Sequence, residues 1–266
     1  MNDALYIAAT GMQTQQLAVD TIANNMANAS TPGYKSGRVN FQELMYRGAA
    51  AGRQASEADS PGSASPAAVA IDQGSGVGVA SLLKSFAPAA LSASSNPLDL
   101  AIQGDGLVEV QMADGSTAYW RGGRLQVTSD GWLATAQGQL LKPQVRVDKN
   151  AGALVIDADG RVTSHKEGVK DVELGKIALQ TFANESGMKP LGDGLYQSTE
   201  ASGDATPVRA GDVGVGAFAQ AHVEQSNVVL VDEMVNLMMA QRAYEMNVKV
   251  IQAADEMLGM SNNLRK

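Results

Sequence analysis

Two stretches of the chain, one at each end, place apolar side chains at alternating steps of three and four. In the first, Leu5, Ala8, Met12, Gln15, Val19, Ile22, Met26 and Ala29 form one stripe along residues 3–29. That spacing is a heptad seam, because residues three and four apart share one face of an α-helix. Ser30-Thr31-Pro32-Gly33 ends the helix, since proline disfavours helix at the residue before it and cannot continue the ladder. In the second stretch Leu230, Met234, Leu237, Gln241, Tyr244, Val248, Ile251, Asp255 and Leu258 step in the same way. Asp232 and Glu233 near its start and Arg265-Lys266 at its end suit the helix dipole. Gln15 and Gln241 interrupt the seams with polar groups, which fixes register at some cost in stability. Ile7, Leu17, Val235 and Met238 lie off the seams, so more than one face of each helix needs a partner.

Between the helices the period changes to two, as in Val108-Val110-Met112, Leu125-Val127 and Leu154-Ile156. Asp105-Gly106, Asp114-Gly115, Asp130-Gly131, Asp159-Gly160 and Asp193-Gly194 punctuate this region. Asp-Gly between alternating apolar runs is a strong hairpin signal, because both central turn positions favour positive φ. Residues 208–223 read as a return strand leading to the second helix. Residues 47–78 are rich in Ala, Ser, Gly and Pro, with Val69, Ile71 and Val77 as their only large aliphatic side chains. Such a segment buries too little apolar area to offset its ordering, and is expected to be an extended or mobile loop. The expected fold class is α+β: N- and C-terminal heptad helices packed together, with an antiparallel all-β domain between them. The expected boundaries are 1–35 for the first helix, 36–95 for the extended or flexible loop and connecting segment, 96–207 for the β domain and 208–266 for the return strand and second helix.

Composition narrows the function. Of 266 residues, 44% are hydrophobic, which excludes wholesale disorder, and the net charge of −8 argues against a nucleic-acid footprint. The absence of cysteine removes disulfides, thiolate zinc sites and cysteine nucleophiles. No run approaches the roughly 18 apolar residues of a membrane-spanning helix, and the first Lys or Arg is Lys35, so no secretory signal is expected. Taken alone, composition points to a soluble cytosolic protein.

Motifs with chemistry are few. Gly74-Ser75-Gly76-Val77-Gly78 lacks the Lys-Ser or Lys-Thr of a phosphate-binding loop and reads as a flexible loop exit. Asp157-Ala158-Asp159-Gly160 opens like a calcium loop but lacks the closing glutamate, so a hairpin turn is the better reading. His165 reads as a surface residue and His222 as one that bonds locally; neither has partners at metal spacing. There is no Gly-x-Ser-x-Gly elbow. Trp120 and Trp132 read as core or inter-subunit packing. No catalytic, cofactor-binding or metal residues are expected, and hydrolytic or redox activity is not expected.

Asn24-Asn25-Met26-Ala27-Asn28-Ala29-Ser30-Thr31-Pro32-Gly33-Tyr34-Lys35 resembles the N-terminal signature of bacterial flagellar axial proteins, those of the rod and hook. Ser226-Asn227-Val228, Glu233-Met234-Val235 and Gln241-Arg242-Ala243-Tyr244-Glu245 resemble the C-terminal signature of the same family. Within it, Leu5-Tyr6-Ile7-Ala8-Ala9-Thr10-Gly11-Met12, Phe41-Gln42-Glu43-Leu44-Met45-Tyr46 and the chain length are most similar to the distal rod branch, with the similar-sized proximal rod branch as the competitor. The resemblance implies a structural subunit exported through the flagellar type III apparatus without a cleaved signal. It implies terminal helices packed as an inner domain, a β domain outside them, and a helical homopolymer spanning the periplasm as a torque-transmitting rod. It implies other rod and hook proteins and the basal-body rings as neighbours. Polymerisation requires a heterologous, non-closing contact. The expected assembly contacts are Leu5, Met12, Val19, Ile22, Met26, Met234, Leu237, Tyr244, Val248, Ile251 and Leu258. An alternative of a different class is a secreted β-domain binding module oligomerised by its helices.

Overall fold

The computed structural model of the chain describes residues 2–46, 73–148, 152–165 and 172–263. The expected seams are both helical. α1 spans Asn2–Ala27 and α2 spans Leu230–Asn263. α1 stops short of the proline: Thr31 N–H donates to the Asn28 carbonyl, and Gly33 takes φ 71°, a conformation that glycine adopts without steric cost.

Eighteen strands lie between the helices among the described residues, and every pairing with a defined register is antiparallel. In chain order they begin with β1 (Gly37–Tyr46), β2 (Gln73–Lys84) and β3 (Leu91–Ala93). Next come β4 (Asp99–Gln103), β5 (Leu107–Gln111), β6 (Thr117–Trp120), β7 (Gly122–Val127), β8 (Leu133–Thr135) and β9 (Leu140–Leu141). Then follow β10 (Ala153–Ile156), β11 (Arg161–His165), β12 (Val172–Lys176), β13 (Leu179–Thr181), β14 (Lys189–Gly192) and β15 (Leu195–Gln197). The last are β16 (Thr206–Val208), β17 (Ala217–Gln220) and β18 (His222–Glu224). The main sheet runs β14-β15-β6-β5-β9-β8-β7-β4-β17, with β13 joining β5 to β16. β10-β11-β12, β1-β2 and β18-β3 form smaller sheets.

The described chain divides into two compact units. One takes residues 2–23, 39–46, 73–82 and 234–263: most of both helices and of the β1-β2 ladder. The other takes residues 24–38, 83–148, 152–165 and 172–233, and holds the remaining sheets. Its core is aliphatic, with Leu100, Ile102, Val108, Val110, Leu125, Leu141, Val162 and Leu179 packed around Trp120. A second cluster gathers Phe86, Leu107, Tyr119, Met188 and Tyr196, with Phe86 edge-on to Tyr196 and Tyr119 edge-on to Phe182.

Several expectations resolve differently. Residues 36–95 are not wholly loop: β1, β2 and β3 fall there, and Gly74-Ser75-Gly76-Val77-Gly78 lies inside β2. A run of small residues carries little periodic signal, yet Gly78 leaves room for Leu44, whose Cδ2 would lie 3.2 Å from a Cβ added there. The remainder of the expected 47–78 loop, residues 47–72, lies outside the described residues. The stretch 208–223 is not one strand, because positive φ at Gly211, Gly214 and Ala221 breaks it into the end of β16, a loop, β17 and the start of β18.

The Asp-Gly pairs divide by geometry. Only Asp193-Gly194 has positive φ at both central residues, 51° and 73°, and it closes a two-residue hairpin between β14 and β15. Asp114-Gly115, Asp130-Gly131 and Asp159-Gly160 instead end three-residue loops in which glycine alone has positive φ. Asp105-Gly106 is not a hairpin turn, since β4 and β5 do not pair.

Candidate functional site

The two signature segments meet in a polar clasp within the larger unit. Its first part is built on Asn25, on the last turn of α1. The Asn25 amide donates to the Gly37 carbonyl at 2.8 Å while its Oδ1 accepts from Gly37 N–H at 2.8 Å. The same amide donates to Glu233 Oε1, at the start of α2, at 3.2 Å. Both ends of one buried side chain are thus satisfied, as burial requires. The Tyr34 hydroxyl donates to Asn24 Oδ1 at 2.8 Å, and Lys84 Nζ stands 4.4 Å from the Tyr34 ring centroid.

Asn227 supplies the second part. Its Oδ1 accepts from Ser36 N–H at 2.7 Å, its amide donates to the Ser85 carbonyl at 2.8 Å, and its own N–H donates to the Tyr34 carbonyl at 3.3 Å. One side chain from the C-terminal signature therefore holds two segments of the N-terminal half.

The third part is a buried ion cluster. Lys35, Arg121 and Glu224 side chains are 0%, 1% and 5% exposed. Lys35 Nζ donates to Glu224 Oε1 at 2.8 Å and to the Ala87 carbonyl at 3.0 Å. Arg121 Nε donates to Glu224 Oε2 at 3.3 Å, while its two terminal nitrogens donate to the Gly106 and Gly104 carbonyls. The latter two bonds give the Asp105-Gly106 turn its task. Burial, and then the Arg121 charge, pull the Lys35 ammonium below the usual lysine value, against the pull of Glu224. Glu185 lies near the two cations; burial raises its pKa and Arg121 opposes the rise.

The expected seam residues lie on α1 and α2 as follows. Leu5, Met12, Val19, Ile22 and Met26 are half-buried, with Ala8 of the same stripe fully buried. On α2, Leu237, Val248, Ile251 and Leu258 are half-buried, but Met234 and Tyr244 are exposed, as are Gln241 and Asp255. The inward row of α2 passes instead through Leu237, Ala240, Ala243, Asn247, Ile251, Ala254 and Leu258. Small side chains on this row permit close approach: a Cβ added to Gly11 of α1 would lie 2.9 Å from Asn247 Nδ2. Other large apolar residues of α2 face outward, with Val231, Met234, Val235, Met238, Met246 and Met260 all exposed. So many large apolar side chains left exposed on one helix mark an interaction face.

Catalytic features are sparse. No group of three or more His, Asp or Glu side chains is placed to hold a metal among the described residues. His165 is exposed at the end of β11, and His222 Nδ1 donates to the Gln220 carbonyl at 2.8 Å. Trp120 is core, while Trp132 is half-buried beneath the Arg146 guanidinium. A cleft of about 640 Å³ beside the clasp is lined by Tyr34, Lys84, Arg124 and the glycines 122, 123 and 194. Of the carboxylates lining it, Asp99 is engaged by Ser94, Asn96 and Arg124.

Sequence reasoning missed Arg121, Glu224 and the separate roles of Asn25, Lys35 and Asn227. The usable signal was charge and amide groups inside otherwise apolar or turn-forming segments. The Lys35–Glu224 and Arg121–Glu224 pairings, 189 and 103 residues apart, leave no local pattern.

Comparison with known proteins accounts for the same segments. Residues 5–35 match the family described as flagella basal body rod protein. Residues 101–164 match the flagellar hook protein FlgE/F/G D1 domain, and residues 219–264 the flagellar basal body rod FlgEFG protein C-terminal family. Lys35, Arg121 and Glu224 come one from each. The chain is 39% identical to the flagellar basal-body rod protein FlgG of Caulobacter vibrioides, over 98% of this chain and 99% of that one. It is 35% identical to FlgG of Borreliella burgdorferi over the whole of both chains. It is 30% identical to the rod protein FlgF of Caulobacter vibrioides, over 97% of this chain and 95% of that one.

Proposed function

The chain belongs to the distal rod protein family of the flagellar basal body and is a structural rod subunit, and we propose that it works as a helical homopolymer whose subunits transmit torque from motor to hook. The family is structural, and the chain's place is the flagellar basal body. The observation that carries the polymer reading is the outward apolar face of α2. A helix that keeps many large apolar residues in water after its own chain has folded has a second face to bury.

In this reading the terminal helices are the inner domain of the rod and the β sheets its outer layer. Leu5, Met12, Val19, Ile22, Met26, Leu237, Val248, Ile251 and Leu258 pack the helices of one subunit. Met234 and Tyr244, with Val231, Val235 and Met238, meet neighbouring subunits. The contact is heterologous, because an isologous patch would close into a dimer. Export through the flagellar type III apparatus without a cleaved signal, and contact with other rod proteins, the hook and the surrounding rings, complete the reading.

Electron cryo-tomography of motors in cells lacking this protein tests it. A short proximal rod without its distal extension or hook is the expected result. Failure of the axial structure nearer the inner membrane would favour a proximal rod subunit. Intact motors would reject both.

A further inference from the structure

We propose that Glu224 is the closing element of a latch that orders the two ends of the chain together. Its carboxylate and carbonyl gather three segments. Oε1 accepts from Lys35 Nζ at 2.8 Å and from Ala89 N–H at 3.1 Å, and Oε2 accepts from Arg121 Nε at 3.3 Å. The Glu224 carbonyl accepts from Gly33 N–H at 2.7 Å. The segment following α1, the segment following β2 and the β6-β7 corner thus converge on a residue six positions before α2.

The charges make the convergence conditional. Two fully buried cations face the one buried carboxylate, and neither cation is stable there without it, because an uncompensated buried charge is strongly disfavoured. Glu185 lies only half-buried, and burial already biases it toward its neutral form, so it is a poor substitute. The segment after α1 therefore reaches its buried position only once the segment before α2 is in place. The converse also holds: Glu224 and Asn227 find their partners only when Gly33, Tyr34, Lys35 and Ser36 are present. The latch acts within the single subunit, so it stands or falls independently of how subunits pack in a rod.

Backbone hydrogen exchange on the full-length free chain tests this with two variants. In Glu224→Gln, two sets of amides should exchange faster by about tenfold or more. One set is Gly33, Ser36 and Gly37; the other is Gln225 and Asn227. Leu125 and Leu133, which donate inside the sheet, should keep their protection. Lys35→Met keeps the Glu224–Arg121 pair and replaces the ammonium with apolar atoms of similar length. It should speed both sets by a common factor, and it decides the matter alone if Glu224→Gln does not fold. Acceleration of the first set without the second, or of neither, overturns the latch.

Discussion

Tyr196 shows at the scale of one residue how burial becomes a pH response. Its ring packs edge-on against Phe86, and burial raises its hydroxyl to about 12 from an ordinary 10.0, with Arg121 opposing and Glu224 reinforcing the rise. In the unfolded chain the group ionises near 10, so between these values the native state binds more protons and stability falls as pH rises. The loss amounts to about 2–3 kcal/mol by pH 12. Lys35 and Lys84, held below the usual lysine value by burial, act oppositely as pH approaches 10.5 from below. Tyr196→Phe should move the alkaline unfolding midpoint upward in a pH titration followed by circular dichroism; an unmoved midpoint would reject the assignment. Gly160 makes a separate point. It holds φ 84°, and a Cβ there would press on the Ile177 carbonyl and 2.8 Å from the Phe218 ring. Gly160→Ala should cost about 2–4 kcal/mol in denaturant unfolding, strain and clash combined. The Asp-Gly pair announced a turn there, but the approach of residues 177 and 218 had no local signature.

At the scale of elements, the helices were legible and the facing of α2 was not. Steps of three and four located α1 and α2 because an amphipathic helix must repeat at that period. They did not reveal which face of α2 turns inward: Met234, Gln241, Tyr244 and Asp255 of the traced seam are exposed, while the inward row uses Ala240, Ala243, Asn247 and Ala254. Alanine is a weak hydrophobic signal but suits helices in close approach, and methionine suits an adaptable outer contact. This division separates two kinds of mutation. Ile22→Asp and Ile251→Asp place a charge on half-buried positions, and should abolish assembly by keeping the two helices from ordering against each other, with the β sheets still folded. Met238→Asp changes an exposed residue, and should leave thermal unfolding of the free chain within about 0.5 kcal/mol while preventing incorporation into rods. Motility together with melting of the purified variants checks both. Normal motility in Met238→Asp would remove that face from the assembly contact.

For the whole molecule, the distinction between what folds alone and what awaits a neighbour follows from where the apolar side chains lie. The larger unit buries a continuous aliphatic core and closes both of its terminal segments through Asn25, Lys35, Glu224 and Asn227. Beyond those residues α1 and α2 keep Tyr6, Ile7, Leu17, Val231, Met238 and Met246 in water. Ordering backbone costs about 1–2 kcal/mol per residue, and helices held by one narrow seam have little surplus against that cost. The β1-β2 ladder, missed because its Gly74-Ser75-Gly76 run carries no alternation, adds little, since two strands alone are marginal. In the free subunit, amides of the main sheet and of Gly33, Ser36 and Asn227 should therefore be well protected from exchange. Those of residues 5–20 and 237–258 should exchange orders of magnitude faster, and the same helical amides should become protected in isolated rods. Helices already protected in the free subunit to the level of the sheet would show that α1 and α2 order without neighbours, and the outer methionine face would then contribute to subunit affinity alone.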